Sequence, residues 1–183
     1  DSYRVKIVDG NCLAASEHRL QVLREAPGRA LPGKSLVVYE PAPGLVTDVF
    51  PCEDGHAQER ALLGAVLDTV AADDLWIADR NFCTLEFLFG VARRGAFFVI
   101  RQHGSNGGGQ SHGPRRGVGH AARGQALYEQ AVCLTEPDTS APLVVRRITV
   151  WPREGDEGEY LDALISDGTG EVNAEWFGRR SIP

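Results

Sequence analysis

Tyr3-Arg4-Val5-Lys6-Ile7-Val8-Asp9-Gly10-Asn11 is the stretch on which the fold turns. Its alternation sets Tyr3, Val5, Ile7 and Asp9 on one face of a β-strand, so the strand closes on an aspartate. The pattern recurs in Leu75-Trp76-Ile77-Ala78-Asp79-Arg80-Asn81-Phe82, where Leu75, Ile77 and Asp79 share a face. Open α/β sheets bind ligands at the carboxyl ends of their strands, and two adjacent strands ending in aspartate can share Mg²⁺. The competing reading is local, because Asp before Gly or Asn often caps the turn after a strand.

Between these signatures, Ala14 to Glu25 reads as a short helix or loop, with Ser16 as a candidate N-cap and Pro27-Gly28 as its end. Ser35 to Glu40 and Leu45 to Phe50 read as strands joined by Pro41-Ala42-Pro43-Gly44, a connection short enough for an antiparallel hairpin. Asp54 can cap a helix over His56 to Ala71, in which Leu62, Leu63, Val66, Leu67 and Val70 recur at helical spacing. That helix is a crossover, and it returns the chain parallel to the first strand with Asp79 beside Asp9.

After Asp79, Thr84 opens a second amphipathic helix with Leu85, Leu88, Phe89 and Ala92 on one face, ended by Arg93-Arg94-Gly95. A fifth strand over Ala96 to Arg101 follows. The order of three strands, helix, strand, helix, strand is that of a ribonuclease H-like core, an α/β mixed sheet flanked by helices. Residues 1–103 would make its first part. Residues 104–124 are rich in glycine and arginine and read as a flexible loop or irregular arm. Residues 125–166 hold three strand candidates, Ala126 to Leu134, Leu143 to Trp151 and Tyr160 to Ser166, and read as a partial β-rich insertion. Residues 167–183 form a divergent tail.

Composition narrows the classes of function. With 183 residues, 43% of them hydrophobic, the chain can bury one sizeable core. No apolar run approaches the ~20 residues of a membrane span, and Asp1-Ser2-Tyr3-Arg4 lacks signal-peptide features, so a cytoplasmic location is expected. Cys12, Cys52, Cys83 and Cys133 form no C-x-x-C pair, which speaks for separate reduced thiols. The absence of methionine suggests an excerpt from a longer product. A net charge of −6 argues against a uniformly basic surface, yet residues 101–124 carry Arg101, Arg115, Arg116 and Arg123 with no acid. Those arginines are candidate contacts to a DNA backbone, against the alternative of a solvated loop.

Phosphodiester cleavage or strand transfer needs an in-line nucleophile and stabilisation of the leaving oxygen, which two Mg²⁺ ions ~3.5–4 Å apart can supply. Asp9 and Asp79 are the candidate ligands. Asn11 and Asn81 could orient waters or phosphate oxygens and Arg80 could meet a phosphate, although plain turn residues and a surface cation are the commoner explanation of such residues. Together with the strand-helix order, Lys6-Ile7-Val8-Asp9-Gly10-Asn11 and Trp76-Ile77-Ala78-Asp79-Arg80-Asn81-Phe82 resemble the DDE transposases of bacterial insertion sequences. The resemblance runs from Tyr3 to Arg101 and more loosely to Asp162. It implies that Asp9 and Asp79 hold Mg²⁺ or Mn²⁺ with a later glutamate, that mobile-element DNA ends are the substrate, and that the protein acts as a homodimer.

The family carries that glutamate in a helix with the pattern Tyr, two residues, Arg, three residues, Glu, six residues, Lys. No segment here satisfies it. Glu157 has Arg153 four residues before it, but Val150 where tyrosine belongs and Leu164 where lysine belongs; Glu171 and Glu175 fit worse. The expectation is a chain that ends before the third acid. Two other readings stay open: a non-catalytic remnant that binds DNA or a full-length partner, and a ribonuclease H-like nuclease that recruits Glu59 from the crossover helix. His103, His112 and His120 are too irregularly spaced to define a transition-metal site, and Gly104-Ser105-Asn106-Gly107-Gly108-Gly109 lacks the Lys-Ser/Thr of a P-loop.

Overall fold

The computed structural model describes residues 3–12, 34–52, 59–102, 110–121, 124–151 and 161–166. Strands β1 (Arg4–Cys12), β2 (Lys34–Glu40) and β3 (Leu45–Cys52) form an antiparallel meander. The hairpin at 41–44 closes on Gly44, whose φ of +69° suits a residue without a Cβ. A one-residue bulge in β3 at Thr47 shifts the register between Val38 and Tyr39. Strand β4 (Asp74–Ala78) lies parallel to β1, with Val8 opposite Ala78, and β5 (Phe97–Arg101) lies parallel to β4, with Ala78 opposite Ile100. The first five strands therefore stand in the order β3-β2-β1-β4-β5.

The crossover between β3 and β4 is shorter than its periodicity predicts. A 3₁₀ turn over Glu59–Leu62 runs into helix α1 (Leu63–Leu67), and the helix does not continue to Ala71. Two local bonds divert the chain: the Thr69 hydroxyl donates to the Val66 carbonyl at 2.8 Å, and the Ala71 N–H donates to the Asp74 carboxylate at 2.9 Å. Residues 53–58, including Asp54 and His56, lie outside the described residues.

Helix α2 (Leu85–Arg93) begins as expected, with Thr84 Oγ1 accepting from the Phe87 N–H at 3.2 Å. It ends at Gly95, where φ is +71°. Its buried stripe includes Phe87, Leu88, Phe89 and Val91, broader than the four-residue face read from spacing. A Cβ at Gly90 would stand 2.6 Å from Leu67 Cδ1, so glycine is what lets α2 approach α1 closely. The two helices cover one face of the sheet, where Val8, Leu36, Val38, Trp76, Phe98 and Ile100 are buried. Each large side chain so buried contributes ~1.5–3 kcal/mol. On the other face Val5, Ile7, Leu75, Ile77 and Val99 are half-buried, which is the parity expected from the alternation.

Beyond β5 the same sheet continues through antiparallel strands, so the overall class is a mixed α/β structure dominated by one sheet. β8 (Ala126–Thr135), β9 (Pro142–Trp151) and β10 (Leu161–Ser166) follow in the spatial order β5-β10-β9-β8. The glycine-rich segment departs from the loop predicted for it. β6 (Gln110–Ser111) and β7 (Arg116–His120) both pair with β8, because the outer edge of β8 offers backbone donors and acceptors that the segment satisfies. Its glycines permit a register shift between Gly117 and Gly119, with φ +138° at Gly119. The proposed helix or loop at 14–25, Arg123, and Glu157, Glu171 and Glu175 with the tail lie outside the described residues. Among the described residues no helix is long and apolar enough to cross a membrane.

Candidate functional site

The register that pairs Val8 with Ala78 makes Asp9 and Asp79 the next positions on neighbouring parallel strands. Parallel strands stand ~4.8 Å apart. Asp79 keeps extended backbone angles (φ −75°, ψ 172°), so the strand direction persists through it. Both aspartates are exposed just past the last β1–β4 pair, and each continues the face that carries Ile7 and Ile77.

Asp79 also caps a turn, whereas β1 does not close on Asp9 as its alternation predicts but runs three residues further to Cys12, because pairing with β2 continues to Lys34. Asp9 Oδ1 accepts from the Gly10 N–H at 2.8 Å, and Asp79 Oδ1 accepts from the Arg80 N–H. Asp79 thereby opens a 3₁₀ turn over Arg80–Phe82, anchored by buried Phe82, whose ring lies 6.3 Å from that of Phe87. The turn-capping and metal-holding readings are compatible in one residue. A carboxylate has about four lone-pair sites, and the backbone bond takes one.

Arg80 and Asn81 are exposed beside Asp79. The Asn81 carbonyl accepts from Arg60 Nε at 3.1 Å, which ties the 3₁₀ turn carrying Glu59 to the loop after Asp79. Asn11 lies in β1 opposite Ser35, and its side chain, like that of Glu59, is outside the described residues. One further residue joins the row. Because Ala78 pairs with Ile100, Arg101 is the next position beside Asp79 on β5. The alternation of Phe97, Val99 and Arg101 held part of that signal, but the row depends on inter-strand register, which tertiary pairing sets.

The arginines of the glycine-rich segment separate into two environments. Arg116 is exposed on β7, whereas Arg115 is held in place. Its Nη2 donates to Thr149 Oγ1 at 3.3 Å, and its guanidinium lies 5.6 Å from the Tyr128 ring centre and 5.7 Å from that of Trp151. The Thr149 hydroxyl in turn donates to Asp162 Oδ1. His112 and His120 are exposed. Among the described residues no group of three or more His, Cys, Asp or Glu is placed to hold a metal ion.

A scan against protein-family models and a search of curated proteins gave no match to this chain.

Proposed function

We propose that the chain carries the first two metal ligands of a DDE-transposase-type, ribonuclease H-like core acting on DNA phosphodiesters. The observation that carries the reading is that Asp9 and Asp79 are the next positions after the paired Val8 and Ala78 on neighbouring parallel strands, on one face. The strand order β3-β2-β1-β4-β5, with β2 antiparallel to β1 and with β1, β4 and β5 parallel, supports the ribonuclease H-like assignment.

The donors suit Mg²⁺ or Mn²⁺, which prefer carboxylate oxygen and keep several waters. When bound, such an ion supplies charge stabilisation at the leaving oxygen and lowers the pKa of an attacking water. The chain's own part is to hold two carboxylates on neighbouring parallel strands whose register is set by the sheet. Arg101 in the same row, and Arg80 beside Asp79, offer positive charge to a phosphate brought to the two aspartates. Arg116, in register with Glu129, Ile148, Ala163 and Arg101, extends the positive charge of that face across the β-rich end of the sheet, whereas Arg115 stands on the opposite face with Thr149; Arg123 from the same segment is a further candidate.

The test is a Mn²⁺ titration followed by electron paramagnetic resonance, alongside nicking of duplex DNA, for wild type, Asp9→Asn and Asp79→Ala. Mn²⁺ binding weakened by ~10-fold or more in each variant is expected, with feeble nicking that both substitutions abolish. Binding indifferent to both substitutions would end the metal assignment. A second reading, a DNA-binding relative that cuts nothing, draws on the backbone N–H bonds that both carboxylates already accept. It predicts that both variants bind DNA as wild type does and that none of the three nicks it.

A further inference from the structure

We infer that Arg60 is a positioning residue for Asp79: from the crossover it fixes the turn on which the Asp79 carboxylate is oriented. This rests on the metal reading proposed above and names what sets the aim of one of its two ligands. The two aspartates need different support. β1 continues past Asp9, paired with β2 as far as Cys12 opposite Lys34, so a strand ladder holds the chain on both sides of Asp9. β4 ends at Ala78, and Asp79 is the first residue beyond it. Its support comes from the turn that follows.

Backbone bonds close that turn, and one side chain joins it to the crossover. The Phe82 N–H donates to the Asp79 carbonyl at 3.1 Å, the Cys83 N–H to that of Arg80 at 3.1 Å, and the Thr84 N–H to that of Phe82 at 2.8 Å. The carbonyl of Asn81 accepts from Arg60 Nε, 21 positions earlier in the chain, at 3.1 Å. A cationic donor makes a stronger hydrogen bond than a neutral one, and the guanidinium is planar, so Arg60 fixes direction as well as distance. Phe82, 1% exposed and packed near Phe87, pins the same turn to α2.

The turn in its own right aims the carboxylate. Its first N–H, that of Arg80, donates to Asp79 Oδ1. A rotation of the turn would carry that N–H with it, and the carboxylate would follow. The path of influence therefore runs from Arg60 to the Asn81 carbonyl, through the turn to the Arg80 N–H, and from there to Asp79. Partners that orient a metal ligand directly are worth ~10–100-fold in metal affinity; Arg60 acts through a backbone turn, and about three- to tenfold is expected of it.

The charge of Arg60 pulls the other way. A cation near a bound Mn²⁺ repels it, so an Arg60 that acted only as a local charge would, on removal, tighten Mn²⁺ binding. A positioning role loosens it. The direction of the change separates the two.

The experiment titrates Mn²⁺ by electron paramagnetic resonance for Arg60→Ala and Arg60→Lys, each alone and combined with Asp79→Ala or Asp9→Asn. Hydrogen exchange is followed on the same proteins. Arg60→Ala should weaken Mn²⁺ binding about three- to tenfold, and Arg60→Lys, which keeps the charge and a donor but loses the planar fork, should weaken it less. The loss should persist beside Asp9→Asn and vanish beside Asp79→Ala, because residues that act through one group are not additive. Exchange at the Phe82 and Cys83 amides should quicken about fivefold in Arg60→Ala, with Ile77 in β4 unchanged. Arg60 is half-buried and its bond lies at the surface, so both variants should fold, which thermal melting checks. Unchanged or tighter Mn²⁺ binding in Arg60→Ala would overturn the inference even if the turn amides exchange faster, and so would an undiminished loss beside Asp79→Ala. Mn²⁺ binding that depends on both aspartates but ignores Arg60 would overturn the inference and leave the metal reading standing. A wild type that binds no Mn²⁺ would overturn both.

Discussion

The two ends of this sheet are stabilised by different means. In the parallel half, β1, β4 and β5 lie under α1 and α2, and the helix-facing row Val8, Trp76, Phe98 and Ile100 is buried completely or nearly so. In the antiparallel half, most of β8 and β9 is half-buried, and cross-strand pairs join the strands: Arg146 with Glu129 at 2.9 Å, Thr149 with Asp162, and Tyr128 edge-on to Trp151 at 6.5 Å. Parallel pairing needs cover on its faces, whereas antiparallel pairing is also served by individual side-chain pairs worth ~0.2–1 kcal/mol each. The candidate carboxylates stand on the firmly packed half, where strand register holds them. The arginine cluster stands on the half built of small, separable increments.

The strongest way to break that contrast is at Asp74, the buried charge of the packed half. Asp74 is 0% exposed; its carboxylate accepts from Arg4 at 2.7 Å and from the Ala71 N–H, and lies 3.8 Å from Lys6 Nζ. The hydrogen bond to Asp74, then its charge, holds the Arg4 guanidinium above its ordinary pKa. Lys6 is buried with its ammonium 5.3 Å from the Trp76 ring centre, so Asp74→Ala strands a cation in the core. The expected loss is ~3–5 kcal/mol in urea denaturation, since removing one partner leaves the other charge uncompensated. A loss below ~1 kcal/mol would mean that hydrophobic cover alone sets the β1–β4 junction.

The matching change in the other half is Glu129→Gln, which removes the negative charge paired with Arg146. Both side chains are partly solvated, at 18% for Arg146 and 29% for Glu129, so water compensates much of the loss. A change of ~0.5–1 kcal/mol is expected in the same assay. A loss as large as that of Asp74→Ala would erase the distinction between the two halves.

Much of the packed half was legible because its signals are local. Alternation in Tyr3 to Asp9 and Leu75 to Asp79, the Thr84 cap, and Gly95 after Arg94 depend on near neighbours, and each has its structural counterpart. The shortened crossover was not legible, because the helix pattern of Leu62 to Val70 competes with a bond from Ala71 to Asp74 that periodicity does not register. The strands at 110–111 and 116–120 were hidden for another reason. They are exposed throughout, and the second bears Gly117 and Gly119, so no apolar alternation marks them, and they exist as partners of β8. Arg101 beside Asp79 and Arg115 between two rings likewise follow from pairing across the sheet, which a linear reading cannot supply.

The smallest expected effect tests the contact that joins the halves. Arg93, in the last turn of α2, pairs with Glu136 at the end of β8. The Glu136 carboxylate is held below its ordinary value, first by the hydrogen bond from Thr139 and then by the bond and charge of Arg93, against a partial desolvation that acts the other way. Because the folded value lies below the unfolded one, the contribution is complete above the unfolded pKa of about 4.3 and is lost as pH falls through the folded value. The melting-temperature difference between wild type and Glu136→Gln should therefore be small and constant near neutrality, and should shrink below about pH 4.3. Added salt should reduce it too, since the Arg93 side chain is 57% exposed. A difference that persists unchanged through the acid range would assign the effect to the neutral turn around Thr139, and the two halves would then be joined by strand pairing and apolar contact without help from this ion pair.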